Sequence, residues 1–560
     1  MPDSSESNLD AAPLRAKEAW SASRLFWLLV VVHVVVWTVV PALTDPNAPL
    51  DTVEMRYWGQ QWQLGYHKHP PLPGWIAEAA AECCGGSFWG VYLAAQLGMA
   101  AAFWAVWRLG SELLTPRLAL LGVCLLECSY YYTFNTAEFN NNVAMFPYWA
   151  LAVLFLFWAL ESEGNRYWIA TGVALGLGLM CKYTGAMLVV TMLLFMLLHP
   201  VARRAWLRPG PYLTTAVAAL VFFPHVAWAV AHRFPTLEYA SSRSHDGPPL
   251  IGHLLCPLEF TASQLLVLLP TAWAILPLIR ISPRAGRFTN GVPLLGTSSA
   301  GRNRWFGHCL FQAVAHCGAK CGLAGIRWRL RPIVPEERFQ RDFLLAMALG
   351  PFALHLVAAG VFNRWLLSAY GSQLWMFAGV LLLFCLAIRP TQAAMRQSFV
   401  RCIAIGVVFV VCLVVHGIAT PYVLKMPLRI HCPSTALAAQ VRELWTRRYG
   451  QPLPIVAGDW WLVSNIGFYG PDRPVMYGGS DLNRLDMGPG CSGWSNDEEL
   501  LSRGGVVVWD ASTCADDPRE VLPARFPSVE FLPPLSIPWQ TGAKIPPLRV
   551  GVAIIPPRGQ

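Results

Sequence analysis

The sequence has few charged residues. Only 13% of its 560 residues are Asp, Glu, Lys or Arg, while 55% are hydrophobic and the mean hydropathy is +0.41. Soluble domains carry about 25% charged residues, so this scarcity excludes an ordinary soluble protein. The apolar residues form long continuous runs rather than alternating with polar ones, which is typical of membrane-spanning helices. The composition therefore predicts a polytopic α-helical membrane protein.

Acidic residues are scarcer than basic ones, which gives a net charge of +9. The basic residues lie mainly in short loops between apolar runs, where they set membrane orientation. We therefore predict no nucleic-acid partner. The first apolar run, residues 25–43, follows a polar tail and contains Trp37. We interpret it as a retained span, since a cleaved secretory signal has a shorter apolar core and a small-residue cleavage site.

About eleven runs are close to the ~20 residues that cross a bilayer. They are residues 25–43, 88–107, 117–133, 143–160, 167–181, 183–198, 212–231, 257–279, 342–361, 372–388 and 398–418. The distribution of Lys and Arg predicts a cytoplasmic N-terminus. The outward loops of the first membrane module are then 44–87, 134–142 and 232–256, and the C-terminal tail lies outside.

Two segments interrupt this pattern. Residues 281–341 hold ten Lys or Arg residues against two acids and predict a basic cytoplasmic insertion. Its His308, Cys309, His316, Cys317 and Cys321 match no metal-binding spacing that we can defend, so loose thiols are the simpler interpretation.

Short β-type runs with turn signals between them mark the C-terminal segment. They are residues 454–458, 475–479, 505–510 and 550–555, and a helical stretch over 434–449 precedes them. They predict a periplasmic α/β domain over 419–560. In an oxidising compartment one cysteine pair in this domain could form a disulfide, and we favour Cys491 with Cys514.

The full domain order is a tail (1–24), a catalytic module (25–280), the insertion (281–341), further spans (342–418) and this domain.

Reactive residues gather in the first outward loop. Asp51 and Glu54 share one face of a helical turn, which suits either a general base with a supporting acid or a capping pattern at a helix start. Tyr57 follows, and then Lys68 and His69 precede two prolines that restrict the backbone. A Lys ammonium is a good phosphate partner, although Lys and aromatic residues also anchor helices at membrane interfaces.

Further polar candidates lie in the later outward loops. Glu138, Asn140 and Asn142 suit a polyhydroxylated ligand, because each sugar hydroxyl both donates and accepts hydrogen bonds. A single Asn is enough to cap the following helix. The remaining polar residues of this loop are therefore not explained by capping. Lys182 lies at a turn between apolar runs and either contacts a phosphate or extends to the interface. Arg243 is a weaker candidate for acceptor binding.

In this order these residues resemble the GT-C fold glycosyltransferases of the protein-mannosyltransferase superfamily (glycosyltransferase family 39). The chain is most similar to bacterial aminoarabinose and galacturonic acid transferases of lipid A. The resemblance is good over 25–280 and looser over 342–510, where GDWWLVSNIGFY (458–469) looks like a recurring piece of the outer domain. The aminoarabinose enzymes have Glu-Lys-Pro-Pro where this chain has Lys68-His69-Pro-Pro, which argues against an aminoarabinose donor.

The resemblance implies an inverting glycosyltransferase of the bacterial inner membrane with a periplasmic active site. Asp51 occupies the place of the catalytic acid and Glu54 that of the accompanying acid. Lys68, His69 and Lys182 are expected to contact the phosphate of a polyprenyl-phosphate sugar. The expected sugar- or acceptor-binding residues are Tyr57, Glu138, Asn140, Asn142 and Arg243. Lipid A, another lipid or a protein is the expected acceptor. No protein metal site is predicted, although a divalent cation near Asp51 would be compatible.

Three alternatives stay open at this point. A protein O-mannosyltransferase would differ only in its acceptor. A lipid or sugar transporter would carry charges and broken helices within its spans, and the sequence has few such charges. A non-enzymatic membrane scaffold leaves the cluster of acids, cations and prolines in the first loop unexplained.

Overall fold

The computed structural model describes residues 11–162, 164–242, 245–279, 334–386, 391–477, 495, 497–512 and 518–558. Within these ranges a helical part precedes an α/β part. The helices of the first part are α1 Ala11–Thr44, α2 Leu50–Gly59, α3 Leu72–Cys83, α4 Trp89–Leu113, α5 Pro116–Cys124, α6 Asn141–Glu161, α7 Arg166–Cys181, α8 Gly185–Leu198, α9 Gly210–Ala231, α10 Pro235–Ser242, α11 Gly252–Ile275, α12 Arg338–Phe362, α13 Ala378–Cys385 and α14 Gln392–Val423.

Seven helical segments of the described residues are long and apolar enough to cross a membrane. They involve α1, α4, α6, α9, α11, α12 and α14, and each coincides with a predicted span. Helices α7 and α8 also coincide with predicted spans but have only 16 and 14 residues. The membrane protein predicted from composition is therefore confirmed, whereas the count of about eleven spans is not.

Two predicted spans are broken in the structure. Over 117–133 only α5 is an α-helix, and three short 3₁₀ turns follow it over Leu126–Cys128, Tyr130–Tyr132 and Phe134–Ala137. A buried hydrogen bond of 2.8 Å between Glu127 and His33 lies in this irregular region. Over 372–388 the α-helix is limited to the eight residues of α13. Hydrophobicity alone predicted both runs, but it does not report where the backbone leaves the α-helix.

The first outward loop folds into two short helices. Helix α2 begins after Pro49, and α3 begins with Leu72 and Pro73, where the fixed proline φ suits a first turn. A Cβ added to Gly59 would lie 2.1 Å from the carbonyl oxygen of Gly74, so glycine allows the two helices to touch. This contact fixes the angle at which α2 presents its acidic face.

The C-terminal segment is an α/β domain, as predicted. Its helices are α15 Ser434–Tyr449, α16 Trp460–Tyr469, α17 Asp497–Arg503 and α18 Pro518–Arg525. Its strands are β1 Ile455–Gly458, β2 Val475–Met476, β3 Gly505–Asp510, β4 Glu530–Ile537 and β5 Leu548–Ile555, in the sheet order β2-β1-β3-β5-β4. Strand β1 pairs in parallel with β2 and β3, whereas β5 pairs antiparallel with β3 and β4. Strand β4 was not predicted because Pro533 and Pro534 interrupt its pattern.

Helix α16 connects this domain to α2. The side chain of Asp459 caps α16 by accepting hydrogen bonds of 3.0 Å from the backbone N–H groups of Trp461 and Leu462. A Cβ on Gly467 would lie 2.0 Å from the ring of Tyr57, so only glycine lets α16 pack this closely on α2. The start of α16 is thereby held beside the acidic helix.

An ion-pair network strengthens the same contact. The Arg56 guanidinium lies 3.2 Å from Glu78 and 3.4 Å from Glu82 on α3. Arg473 of the α/β domain pairs with the same two carboxylates. Arg56 and Glu78 are almost fully buried, so removing one partner would leave a buried charge uncompensated. The two halves of the chain are therefore locked together at the first outward loop.

Several predictions lie outside the described residues. These are most of the basic insertion, including its His and Cys residues, and the proposed Cys491–Cys514 pair. The described end of the insertion is helical from Pro335, which places residues 338–341 in α12.

Candidate active site

Helix α2 carries Asp51 in its first turn. The N-cap residue of this helix is Pro49, which makes no side-chain capping hydrogen bond, and Asp51 lies inside the helix. The capping pattern considered for Asp51 and Glu54 is therefore not formed. A carboxylate is favoured here because the first turn of a helix carries partial positive charge. The backbone N–H of Asp51 donates a 2.9 Å hydrogen bond to Oε1 of Glu138. The first and second outward loops therefore meet at Asp51, as expected from the predicted topology.

Glu138 is the second carboxyl group of this site. Burial and the neighbouring Asp51 carboxylate raise the pKa of Glu138 to about 7, and the Asp51 N–H and Arg429 oppose this rise. Two carboxyl groups this close disfavour ionisation of both at once. Glu138 therefore keeps its proton at mildly acidic pH.

Glu54 and Lys68 form a salt bridge of 2.5 Å. Their side chains are 7% and 12% exposed, so both charges are mostly withdrawn from water. Glu54 lies one turn after Asp51 on α2 and fixes the position of the Lys68 ammonium. The ammonium also lies 4.0 Å from the ring centre of Trp460, the first residue of α16. A negative ligand could therefore approach a cation that is already held in place.

His69 lies next to this ammonium group within an aromatic cluster. Its ring centre is 5.6 Å from that of Tyr239 and 6.2 Å from that of Trp58. Burial and the adjacent Lys68 lower the pKa of His67 to about 3, so the His67 imidazole stays neutral. The prolines that follow are buried, as expected for a rigid presentation of Lys68 and His69.

Lys182 and Asn142 form a second polar cluster. The Lys182 ammonium donates to Oδ1 of Asn142 at 2.8 Å and lies 4.6 Å from the ring centre of Tyr370. Gln373 donates to the backbone carbonyl of Asn142 at 3.2 Å. The structure thus brings together two residues predicted separately from different loops.

Asn140 and Tyr57 are placed differently from the prediction that they bind sugar or acceptor. The side chain of Asn140 caps α6 by accepting from the N–H groups of Asn142 and Val143, which is the capping alternative. Tyr57 is 1% exposed and donates its hydroxyl hydrogen to the carbonyl of Pro474 at 2.7 Å. Its position therefore favours a role in packing the α/β domain against α2.

Known proteins similar to this chain are membrane glycosyltransferases. Residues 68–228 match the family model described as dolichyl-phosphate-mannose-protein mannosyltransferase. Two relatives come from Rhizobium johnstonii. The lipid A galacturonosyltransferase RgtD is 27% identical over 270 residues, which is 45% of this chain and 54% of RgtD. The lipopolysaccharide core galacturonosyltransferase RgtA is 23% identical over 95% of this chain and 97% of RgtA. The chain thus spans about half of RgtD and nearly all of RgtA.

A solved structure supports the same fold. ArnT from Cupriavidus metallidurans bound to undecaprenyl phosphate has a TM-score of 0.58 and 12% identity, covering 95% of this chain and 98% of ArnT. The chain has a GT-C membrane fold and is similar to glycosyltransferases. The resemblance inferred from the sequence is confirmed. The matched family region includes Lys68, Glu138 and Lys182 but begins after Asp51.

The candidate site contains two residues that were not predicted from the sequence. Trp460 contacts Lys68, and Arg429 acts electrostatically on Glu138 while lying 5.9 Å from the Trp460 ring centre. Both come from the C-terminal third of the chain. The paired tryptophans of GDWW (458–461) at the start of α16, which are half-buried in the structure, were the available signal.

The predicted site residues were also considered as metal ligands. Among the described residues no group of three His, Cys, Asp or Glu side chains is arranged to hold an ion. Asp51 and Glu138 alone would supply carboxylate oxygens suited to a hard cation. A divalent cation beside Asp51 therefore stays a prediction that would need further ligands. Arg243, the remaining site candidate, lies outside the described residues.

Proposed function

We propose that this GT-C enzyme is an inverting glycosyltransferase that moves a sugar from a polyprenyl-phosphate donor to a lipid A-type acceptor. One observation carries the proposal. Lys68, a cation suited to phosphate, is held by Glu54 on the helix whose first turn carries Asp51. The helix that carries the base therefore also holds the phosphate ligand in place through Glu54, which positions a donor and an acceptor together.

The relatives favour a particular sugar and acceptor class. RgtD and RgtA are named as galacturonosyltransferases of lipid A and of the lipopolysaccharide core. The related fold of ArnT binds undecaprenyl phosphate. We therefore propose a hexuronic acid as the transferred sugar, a polyprenyl phosphate as its carrier and a lipopolysaccharide lipid as acceptor. The replacement of Glu-Lys-Pro-Pro by Lys68-His69-Pro-Pro accords with a donor other than aminoarabinose.

The reaction forms one bond and breaks one. An acceptor hydroxyl attacks the anomeric carbon from the face opposite the phosphate, and the bond from that carbon to the phosphate oxygen breaks with its electrons on the oxygen. Asp51 takes the proton of the attacking hydroxyl. Lys68 and His69 stabilise the charge that builds on the leaving polyprenyl phosphate. The products are the glycosylated acceptor with inverted configuration and free polyprenyl phosphate.

Glu54 and Glu138 support this step without contacting the reacting atoms. Glu54 holds the Lys68 ammonium, and Glu138 accepts the backbone N–H of Asp51 and so fixes the start of α2. Lys182 and Asn142 form a second polar surface, which we assign to the hydroxyls or phosphate of the donor. Each group acts through a position set before the substrates bind.

We place this site at the periplasmic face of the bacterial inner membrane. The positive-inside distribution of Lys and Arg puts the loops of Asp51 and Glu138 outside. The α/β domain packs on α2 and so shares that side. About eleven membrane passages, some of them short, reconcile this orientation with the helix order.

A deletion strain tests both donor and acceptor classes. We expect lipid A or lipopolysaccharide core from the deletion strain to lack a hexuronic acid by mass spectrometry. Expression of the wild type or of Glu112→Gln, an exposed acid at the far end of α4, should restore it. Expression of Asp51→Asn should not. The family description leaves protein hydroxyls as a second acceptor class, and unchanged lipopolysaccharide with lost protein glycans would favour it and refute the lipid acceptor.

A further inference from the structure

An exposed cation and three tryptophans lie near Lys68 and Glu138. We call Trp460, Trp461 and Trp539 the tryptophan platform. The rings of Trp461 and Trp539 stack with centres 6.2 Å apart and an angle of 19° between their planes. The Arg429 guanidinium lies 5.9 Å from the Trp460 ring centre and 6.0 Å from that of Trp461. This surface combines flat apolar rings with one positive charge.

The platform borders both halves of the proposed reaction. Trp460 contacts the Lys68 ammonium, which we assign to the donor phosphate. Arg429 lies within electrostatic reach of Glu138, which is hydrogen-bonded to the backbone of Asp51. A molecule bound on the platform would therefore be adjacent to the general base while the donor occupies the Lys68 side.

The segment that carries Arg429 is held in place by hydrogen bonds from Asn47. The buried side-chain amide of Asn47 donates to the carbonyl oxygens of Ile430 and Cys432, at 3.1 and 2.6 Å, and to Oε1 of Gln540 at 2.7 Å. Gln540 follows Trp539, so the Asn47 amide contacts both the segment of Arg429 and the segment of Trp539. Asn47 also lies just before α2, which couples the platform to the position of Asp51.

The charge of Arg429 is available to a ligand. Its side chain is exposed, and no carboxylate of the described residues lies within 4.0 Å of its guanidinium. Lys68 and Arg442, by contrast, each pair with an acid. A planar guanidinium binds phosphate through two parallel hydrogen bonds, and indole rings offer an apolar surface to the face of a sugar ring.

We propose that Arg429 and the tryptophan platform form the acceptor subsite and bind a phosphorylated sugar of the acceptor glycolipid. The sugar ring packs on Trp461 and Trp539, and its phosphate contacts Arg429. This proposal rests on the proposed function. The donor could offer the same chemistry through the carboxylate of a hexuronic acid, and the kinetic test below separates the two sources.

The test compares Arg429→Gln with wild type in detergent-solubilised full-length enzyme. Acceptor and donor concentrations are varied separately, using bisphosphorylated lipid A and its dephosphorylated form. We expect the KM for bisphosphorylated lipid A to rise roughly ten- to hundredfold, as for loss of a charged hydrogen bond. The KM for the donor should stay within about twofold. Arg429→Lys should recover part of the loss, and Arg447→Gln, a solvent-exposed arginine on α15, is the matched control.

Two further results bear on the acceptor subsite. With dephosphorylated lipid A, Arg429→Gln should match wild type, whereas Trp539→Leu should weaken both lipids because the stacking surface is lost. Quenching of tryptophan fluorescence by bisphosphorylated lipid A reports binding without turnover. It should weaken in Arg429→Gln and persist in Asp51→Asn. A rise in the donor KM alone, or an equal loss with both lipids, would overturn the proposal. Absence of any transfer by wild type with normal quenching would instead refute the proposed function.

Discussion

Replacing Glu138 by Gln should make the stability of the protein less sensitive to pH. The folded protein retains the Glu138 proton up to about pH 7, because burial and the Asp51 carboxylate disfavour the charged form. An unfolded chain releases that proton near pH 4.5. Between these values the folded state binds more protons than the unfolded state, so stability falls as pH rises.

The size of the effect follows from this interval. Each unit of pH corresponds to about 1.4 kcal/mol per proton, so Glu138 lowers the free energy of unfolding by about 3 kcal/mol between pH 4.5 and pH 7. Above pH 7 the loss is complete and constant. Glutamine keeps an Oε1 that accepts the Asp51 N–H and cannot ionise, so Glu138→Gln should match wild type at pH 5 and exceed it at pH 8.

Thermal unfolding of the purified protein in detergent, followed from pH 4.5 to pH 8.5, measures this difference. We expect the midpoint of Glu138→Gln to gain on wild type by on the order of 5 °C across the series. Glu443→Gln, which removes a carboxylate with 55% side-chain exposure from α15, is the matched control for loss of one acid. A constant difference between Glu138→Gln and wild type over the whole range would refute the reasoning.

Three other substitutions have defined outcomes. Glu54→Gln leaves the Lys68 charge without its buried partner and should destabilise the protein by about 3–5 kcal/mol; adding undecaprenyl phosphate should raise its unfolding temperature more than that of wild type, and an equal rise would argue against phosphate at Lys68. Asn140→Ala removes a helix cap, so thermal unfolding should show a stability loss of about 1 kcal/mol while the KM values of both substrates stay unchanged. A rise in the KM of only one substrate would show instead that Asn140 contacts that substrate. Tyr57→Phe leaves the Pro474 carbonyl unsatisfied and should destabilise by about 1–3 kcal/mol, also without a KM change; an unfolding temperature equal to wild type together with a raised KM would support sugar binding.

The membrane fold and the catalytic loop were accessible from the sequence for physical reasons. In a chain with so few charges, long apolar runs indicate membrane-spanning helices. The topology that follows from Lys and Arg put Asp51 and Glu138 on one side of the membrane, and the structure joins them by a hydrogen bond. The broken run over 117–133 escaped prediction because its buried pair, Glu127 and His33, is made with a distant helix.

The contacts that connect the two halves of the chain were not accessible in this way. The sequence placed Tyr57 in the first outward loop but did not report that α16 packs against its ring. The contact between Lys68 and Trp460 joins positions almost four hundred residues apart, and no local pattern encodes it. Spacing identified the acids and cations, whereas the contact of Lys68 with Trp460 and the effect of Arg429 on Glu138 depend on how the α/β domain docks.

The central claim is best tested by sugar transfer in liposomes that contain purified protein, lipid A and radiolabelled polyprenyl-phosphate sugars. The account predicts that wild type incorporates label from a polyprenyl-phosphate hexuronic acid into lipid A and releases polyprenyl phosphate in equal amount. It predicts that Asp51→Asn folds normally and loses roughly 10²–10⁴-fold in rate. Transfer by Asp51→Asn at a rate close to that of wild type would contradict the account.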